Sequence, residues 1–353
     1  MSLLNRSLFL GLAGTILFFT ACKNNNTQQV TQQHGKDTSH VAGDTIAPKI
    51  EAYTTRITSN PNDADAYWNR GKLEMQEKSL TASLSDLQHA VKIDSSKDAY
   101  YNSLGDIYFI IGHTREAKNA FEKTITLNPA NSEAILKLGE IYMDVQKYDV
   151  AIGYADKVLI LDKHNANAYF LKGMCFLQKS TRGDSMRAIS SIQTAIEQNP
   201  NFFNAYIQLG LIYSAKHSIH ALDYFNTASR INPGNIEPYY DEGMFYQQAG
   251  DLANAKQAYN QALQIDPNDK SALYNMGYIL FVLDDYPHAL RFFDRTIEND
   301  SANAMAYFGR GECYENMNEP ARAYDDYRLA LKHNPDLTAA KEALSEVKGK
   351  THK

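Results

Sequence analysis

Large apolar side chains recur along this chain in a two-part pattern. In the first part, one large residue stands four positions before a glycine and another three after it. Tyr101, Gly105 and Tyr108 are one instance; Tyr206, Gly210, Tyr213 and Tyr239, Gly243, Tyr246 are others. Positions i, i+4 and i+7 share one face of a helix. The second part begins about twelve residues after the glycine, with a small residue and a large one four positions later. Ala117 and Phe121, Ala221 and Phe225, and Ala255 and Tyr259 show it. Two amphipathic helices are thus predicted, and the pair is written eight times, on Gly71, Gly105, Gly139, Gly173, Gly210, Gly243, Gly277 and Gly311. The intervals are 34, 34, 34, 37, 33, 34 and 34 residues. A glycine within a helix costs about 1 kcal/mol relative to alanine, so eight of them need a packing reason. Close crossing of the two helices supplies one. Pro129, Pro200, Pro233, Pro267 and Pro335 close five of the units, since proline cannot continue a helix.

The spacing and residue order resemble the tetratricopeptide repeat over residues 62 to 335. Unit one departs from it in carrying Glu74 where an aromatic is usual, and units three and seven are among those that lack the proline. The resemblance implies an all-α fold: a right-handed superhelical solenoid of eight helix-turn-helix units with capping helices at both ends. Residues 47–61 read as the N-terminal capping helix and 336–348 as the C-terminal one, with 349–353 a disordered tail. Terminal repeats need a solvated outer face. The stretch 47–348 is too regular to suggest separate domains.

The N-terminus follows a different pattern. Arg6 precedes an uncharged apolar run from Leu8 to Phe19, then Thr20, Ala21 and Cys22. Twelve apolar residues are too few to span a bilayer but suit the core of a secretory signal. Small residues before a cysteine resemble the lipobox of bacterial lipoproteins, although Phe19 stands where leucine is usual. That likeness implies a signal peptide over 1–21, acylation of Cys22, and an envelope location facing the periplasm. An ordinary secretory signal with a chance cysteine, or an uncleaved anchor, are the alternatives. Residues 22–46, rich in Asn, Gln, Thr, Ser and His, have too little apolar surface to order themselves and read as a tether.

Composition narrows the function. The net charge is −6, which argues against nucleic acid. Lysines and arginines are scattered, as on solvated helix surfaces. Cys175 and Cys313 both lie two residues after a repeat glycine, a place for small buried side chains. Among the ten histidines only His217 and His220 are close in sequence, with no third residue at metal-ligand spacing. No catalytic constellation and no cofactor motif stands out, so no cofactor or metal is expected and the chain reads as non-catalytic.

Arrays of the resembled family hold peptides or helices on the face lined by their first helices. The resemblance places Trp68, Phe109, Phe170, Met174, Tyr240, Met244, Tyr274, Tyr278, Phe281 and Phe308 there. Leu136, Met143, Leu177, Ile207, Leu211 and Val282 fall on it too, with Lys72 the clearest cation. Asn102 and Asn275 occur without the lysines of a carboxylate clamp, so a chain-terminal carboxylate is not expected. An apolar stripe is costly to expose, and a partner protein with a hydrophobic or amphipathic segment is the expected occupant. With few charges noted on the face, weak salt dependence is expected. Self-association through the same stripe is the rival use. Unit four carries three extra residues within Gln178–Arg187, a second possible edge for contact. The other functional class open to the sequence is an accessory subunit or cryptic enzyme of an envelope pathway.

Overall fold

The computed structural model describes residues 46–179 and 183–349, and every regular element among them is a helix. The first is α1 (Ile46–Ser59). Unit one follows as α2 (Ala64–Gln76) and α3 (Leu80–Ile93), then α4 (Asp98–Ile110) with α5 (Thr114–Leu127), and α6 (Ser132–Asp144) with α7 (Tyr148–Leu161). Unit four is α8 (Ala166–Lys179) with α9 (Asp184–Gln198), and unit five α10 (Phe203–Ser214) with α11 (His220–Ile231). The rest are α12 (Glu237–Gln248) with α13 (Leu252–Ile265), α14 (Lys270–Val282) with α15 (Tyr286–Asn299), α16 (Ala304–Asn316) with α17 (Pro320–His333), and a last helix α18 (Thr338–Lys348). Although the repeat reads as one uninterrupted array, the described residues divide into two compact units, 46–205 and 206–349, with the division inside α10. In units one to four and six to eight the first helix packs most extensively on its own second helix.

Close helix crossing explains the glycines. At Gly71, Gly105, Gly173, Gly210, Gly243, Gly277 and Gly311 an added Cβ would lie 2.4–3.0 Å from a second-helix side chain. That side chain is Leu87, Phe121, Ile192, Phe225, Tyr259, Phe293 or Tyr327 in turn, the large residue of the second pattern. All seven are fully or almost fully buried, and each such side chain contributes about 1.5–3 kcal/mol. Gly139 differs instructively. Its second helix carries the small Ala155, and the space is taken by Leu171 of the following unit, 2.6 Å from the added Cβ.

Where the buried ring is a tyrosine, its hydroxyl needs a partner. Tyr259 donates to Gln247 Oε1 at 2.8 Å and Tyr327 to Glu315 Oε2 at 2.9 Å. Both acceptors stand four residues after the repeat glycine. In the units whose ring is phenylalanine, that position holds Phe109, Ser214 or Phe281.

The turn between the helices of a unit is equally regular. Lys78, Gly112, Gln146, His217, Gly250, Asp284 and Asn318 have φ of 51–79°, each seven residues after its glycine. The next amide reaches back five residues, as from Ser79 to the Glu74 carbonyl and from Lys147 to Tyr142, both 2.8 Å. This is the Schellman closure, which satisfies carbonyls left open at a helix end. Between units, the side chains of Asn60, Asp94, Asn128, Asp162, Asn199, Asp266, Asp300 and Asn334 each accept from the amide two residues on, at 2.9–3.3 Å. Asp63, Asn131, Asn165, Asp269 and Asn303 then cap the first helix of the next unit.

Candidate protein-binding faces

In the unit 46–205, Trp68 is half-buried and tied down from two sides. Its Nε1 donates to Ser103 Oγ at 2.9 Å, and Lys72 Nζ stands 4.3 Å above its ring. Phe109 is half-buried beneath Lys137, whose Nζ is 5.5 Å from the ring centroid. Phe170 packs on Phe202 at 4.9 Å between ring centres, and Met174 is half-buried one turn on.

In the unit 206–349, Tyr240 and Met244 meet the buried Asn275. The amide nitrogen of Asn275 is 3.3 Å from Tyr240 Oη, 3.5 Å from Met244 Sδ and 3.2 Å from Tyr259 Oη. Tyr274 lies against Phe293 at 5.9 Å, and Phe281 against Tyr286 at 5.7 Å. Tyr274, Tyr278 and Phe281 keep part of their surface, and the neighbouring Val282 is exposed. Burial, followed by the negative charge of Glu312, raises the pKa of Tyr274 and Tyr278, so both phenols stay protonated at neutral pH.

Phe308 is a correction. It is 3 % exposed and packs with Tyr327, Ala330, Ala340 and Ala343. Its ring lies 5.6 Å from that of Tyr327, and Ala340 and Ala343 of the final helix α18 belong to the same buried cluster. Ile207, at 2 % exposed, is core as well. Asn102 and Asn275 are both buried and bonded within the protein.

Acids share these helices with the apolar side chains. Asp106 follows Gly105 directly, and its carboxyl is pushed up to about 7 by burial, with Glu133 and Glu140 adding to the effect and Lys137 opposing it. Burial, and then Glu140, also raises Asp144. Glu74 is raised to about 6 by burial and Asp86, against Arg70. In the other unit, Asp241 is raised well above the usual carboxylate range by burial and then by Glu237. The face of α4 and α6 therefore carries acids as well as apolar side chains.

Cys175 and Cys313 are free and buried, and burial raises both thiols, Cys175 to about 12. Neither is a thiolate at neutral pH. His217 occupies the left-handed turn position, and His220 Nδ1 is 3.4 Å from Asp223. Among the described residues no three potential ligands cluster as a metal site. Cys22 and the apolar run before it lie outside the described residues. Among the described residues no helix is long and apolar enough to cross a membrane.

Models of the tetratricopeptide repeat match residues 98–131, 136–181 and 304–337, and a model described as TPR repeat matches 243–284. Among curated proteins, anaphase-promoting complex subunit 3 of Schizosaccharomyces pombe is 26% identical over 211 residues, 59% of this chain and 31% of that protein. The BBSome complex member BBS4 of Bos taurus is 21% identical over 283 residues, 79% of this chain and 53% of that protein. The chain thus spans only one third to about half the length of these relatives. Among solved structures, the APC/C hetero-tetramer Cut9-Hcn1 aligns with a TM-score of 0.51 at 17% identity, covering 85% of this chain and 59% of that one. At that identity the likeness concerns the fold alone.

Proposed function

We propose that this chain, a tetratricopeptide-repeat protein, is a non-catalytic scaffold holding a hydrophobic or amphipathic segment of a partner protein on its first-helix faces. One observation carries this reading: Tyr274, Tyr278 and Phe281 line one face of α14 and stay only half-buried, next to the exposed Val282. Aromatic residues that retain surface on a rigid element are the usual anchors of binding hot spots. The two curated relatives are named as members of multi-protein complexes, which fits a scaffold role. Changing Tyr274, Tyr278 and Phe281 together to alanine should weaken binding at least about thirtyfold, equivalent to about 2 kcal/mol. The partner is recovered by crosslinking to the full chain and then titrated. Helical content should hold, because Leu273, Gly277, Leu280 and Phe293 supply the buried contacts. Unchanged affinity would remove this face from the function.

The second part of the proposal is location. Small residues before Cys22 and the polar stretch after it support a lipid anchor and a tether in a bacterial envelope. Cys22→Ser should then leave the protein uncleaved or shift it from the membrane to the soluble fraction. A cleaved variant that remained tightly membrane-bound would exclude the lipid.

A further inference from the structure

Four carboxylates gather on the face of α4 and α6. Asp106 stands one turn after Asn102, which bonds to Glu133 across the helices, and Glu133, Glu140 and Asp144 follow at i, i+7 and i+11 along α6. The charges of Glu133 and Glu140 act on Asp106, and that of Glu140 on Asp144. One cation stands among them: Lys137, whose Nζ is 2.8 Å from Glu140 Oε2. Among the described residues no other lysine, arginine or histidine comes within ion-pair distance of Asp106, Glu133 or Asp144. Four acids against one ammonium leave a strong formal excess of negative charge on a partly buried surface.

The second observation is an unanswered acceptor. Asn102 is 8 % exposed and directs its amide nitrogen to Glu133 Oε2 at 3.1 Å. Its Oδ1 is buried and accepts no hydrogen bond. A buried polar atom without a partner is costly, and it stands beside the carboxylate cluster. The carboxylates lack compensating positive charge, and the amide oxygen lacks a donor. Phe109 lies on the same face and already carries Lys137 above its ring, so the surface suits an ammonium or guanidinium group. Leu136 and Met143, both half-buried, give apolar contact alongside.

We propose that the α4–α6 face receives a lysine- or arginine-bearing segment of the partner protein, with the cation set by Asp106 and Glu133, beside Asn102. This rests on the scaffold reading and specifies the chemistry of the segment. A metal ion is a poorer occupant, because the described residues bring no three ligands together. Nucleic acid would meet repulsion. The raised carboxyl of Asp106 agrees with a site whose negative charge is uncompensated, since an incoming cation would favour its ionised form. Charge pairing of this kind sets specificity and association rate more than raw affinity.

The test uses the full chain and three fluorescein-labelled amphipathic peptides that share a leucine face and differ only in carrying lysine, glutamine or glutamate opposite. The lysine peptide should bind at least tenfold more tightly than the glutamine peptide, and the glutamate peptide weakest. The double variant Asp106→Asn/Glu133→Gln should lose at least tenfold for the lysine peptide. Glu116→Gln/Glu197→Gln makes the same change in net charge at two exposed second-helix acids and should stay within twofold. Melting curves show that each variant is folded; if the double variant is not, Asp144→Asn alone takes its place, with a loss of at least threefold expected. Equal binding of the lysine and glutamine peptides overturns the proposal, as does an equal loss in the control variant. Either result leaves the scaffold reading standing if Tyr274, Tyr278 and Phe281 are still needed to hold the recovered partner.

Discussion

At Gly243 an added Cβ would lie 2.6 Å from the ring of Tyr259, while at Gly153, inside α7, it would meet nothing within 4 Å. The two glycines occupy helices of the same array and should respond in opposite directions to alanine. Gly243→Ala must displace a fully buried ring that is also held by Gln247 and Asn275, and should cost about 1–3 kcal/mol. Gly153→Ala should stabilise by about 0.5–1 kcal/mol through helix propensity. Urea unfolding of the two variants measures both, and changes of the same sign would contradict the packing account. The repeat glycines were legible in the sequence because only one residue type serves there. The acids of the α4–α6 face were not. Asp106 and Glu133 look like ordinary surface charges on a helix, and only the fold reveals their crowding and the bare acceptor of Asn102. Phe308 sits at a spacing identical to that of Trp68 and Tyr274, yet it is buried against Tyr327.

In seven units the residue seven places after the glycine, just past the end of the first helix, has left-handed backbone. Two of these are glycine, and the others are Lys78, Gln146, His217, Asp284 and Asn318. The helix pairs were readable from the 34-residue spacing, whereas this turn was hidden because its side chains vary. What repeats is a backbone angle, not a residue type. The conformation costs a residue with a Cβ about 1–2 kcal/mol, partly offset in glycine by the greater freedom of the unfolded chain. Gln146→Gly should therefore raise stability by about 0.5–1 kcal/mol. Its amide bond to Met143 and that of Lys147 to Tyr142 should persist in hydrogen exchange. A loss of stability would mean that the Gln146 side chain contributes more than the turn geometry shows.

In a repeat array each helix pair contacts only its neighbours, so one local surface can be altered without unfolding the rest. This makes the location of the partner measurable. Tyr278 and Met143 stand half-buried on first helices, whereas Ile160 is 83 % exposed and Leu161 48 % exposed on a second helix. The exposed pair is the natural competitor, being apolar surface with no partner assigned to it. A photoreactive phenylalanine analogue placed singly at Tyr278, Met143, Ile160 or Leu161 in the full chain decides between the two faces. The account predicts a partner adduct from Tyr278 and Met143, and little from Ile160 or Leu161. Adducts formed mainly from Ile160 and Leu161 would contradict it and move the function to the second helices.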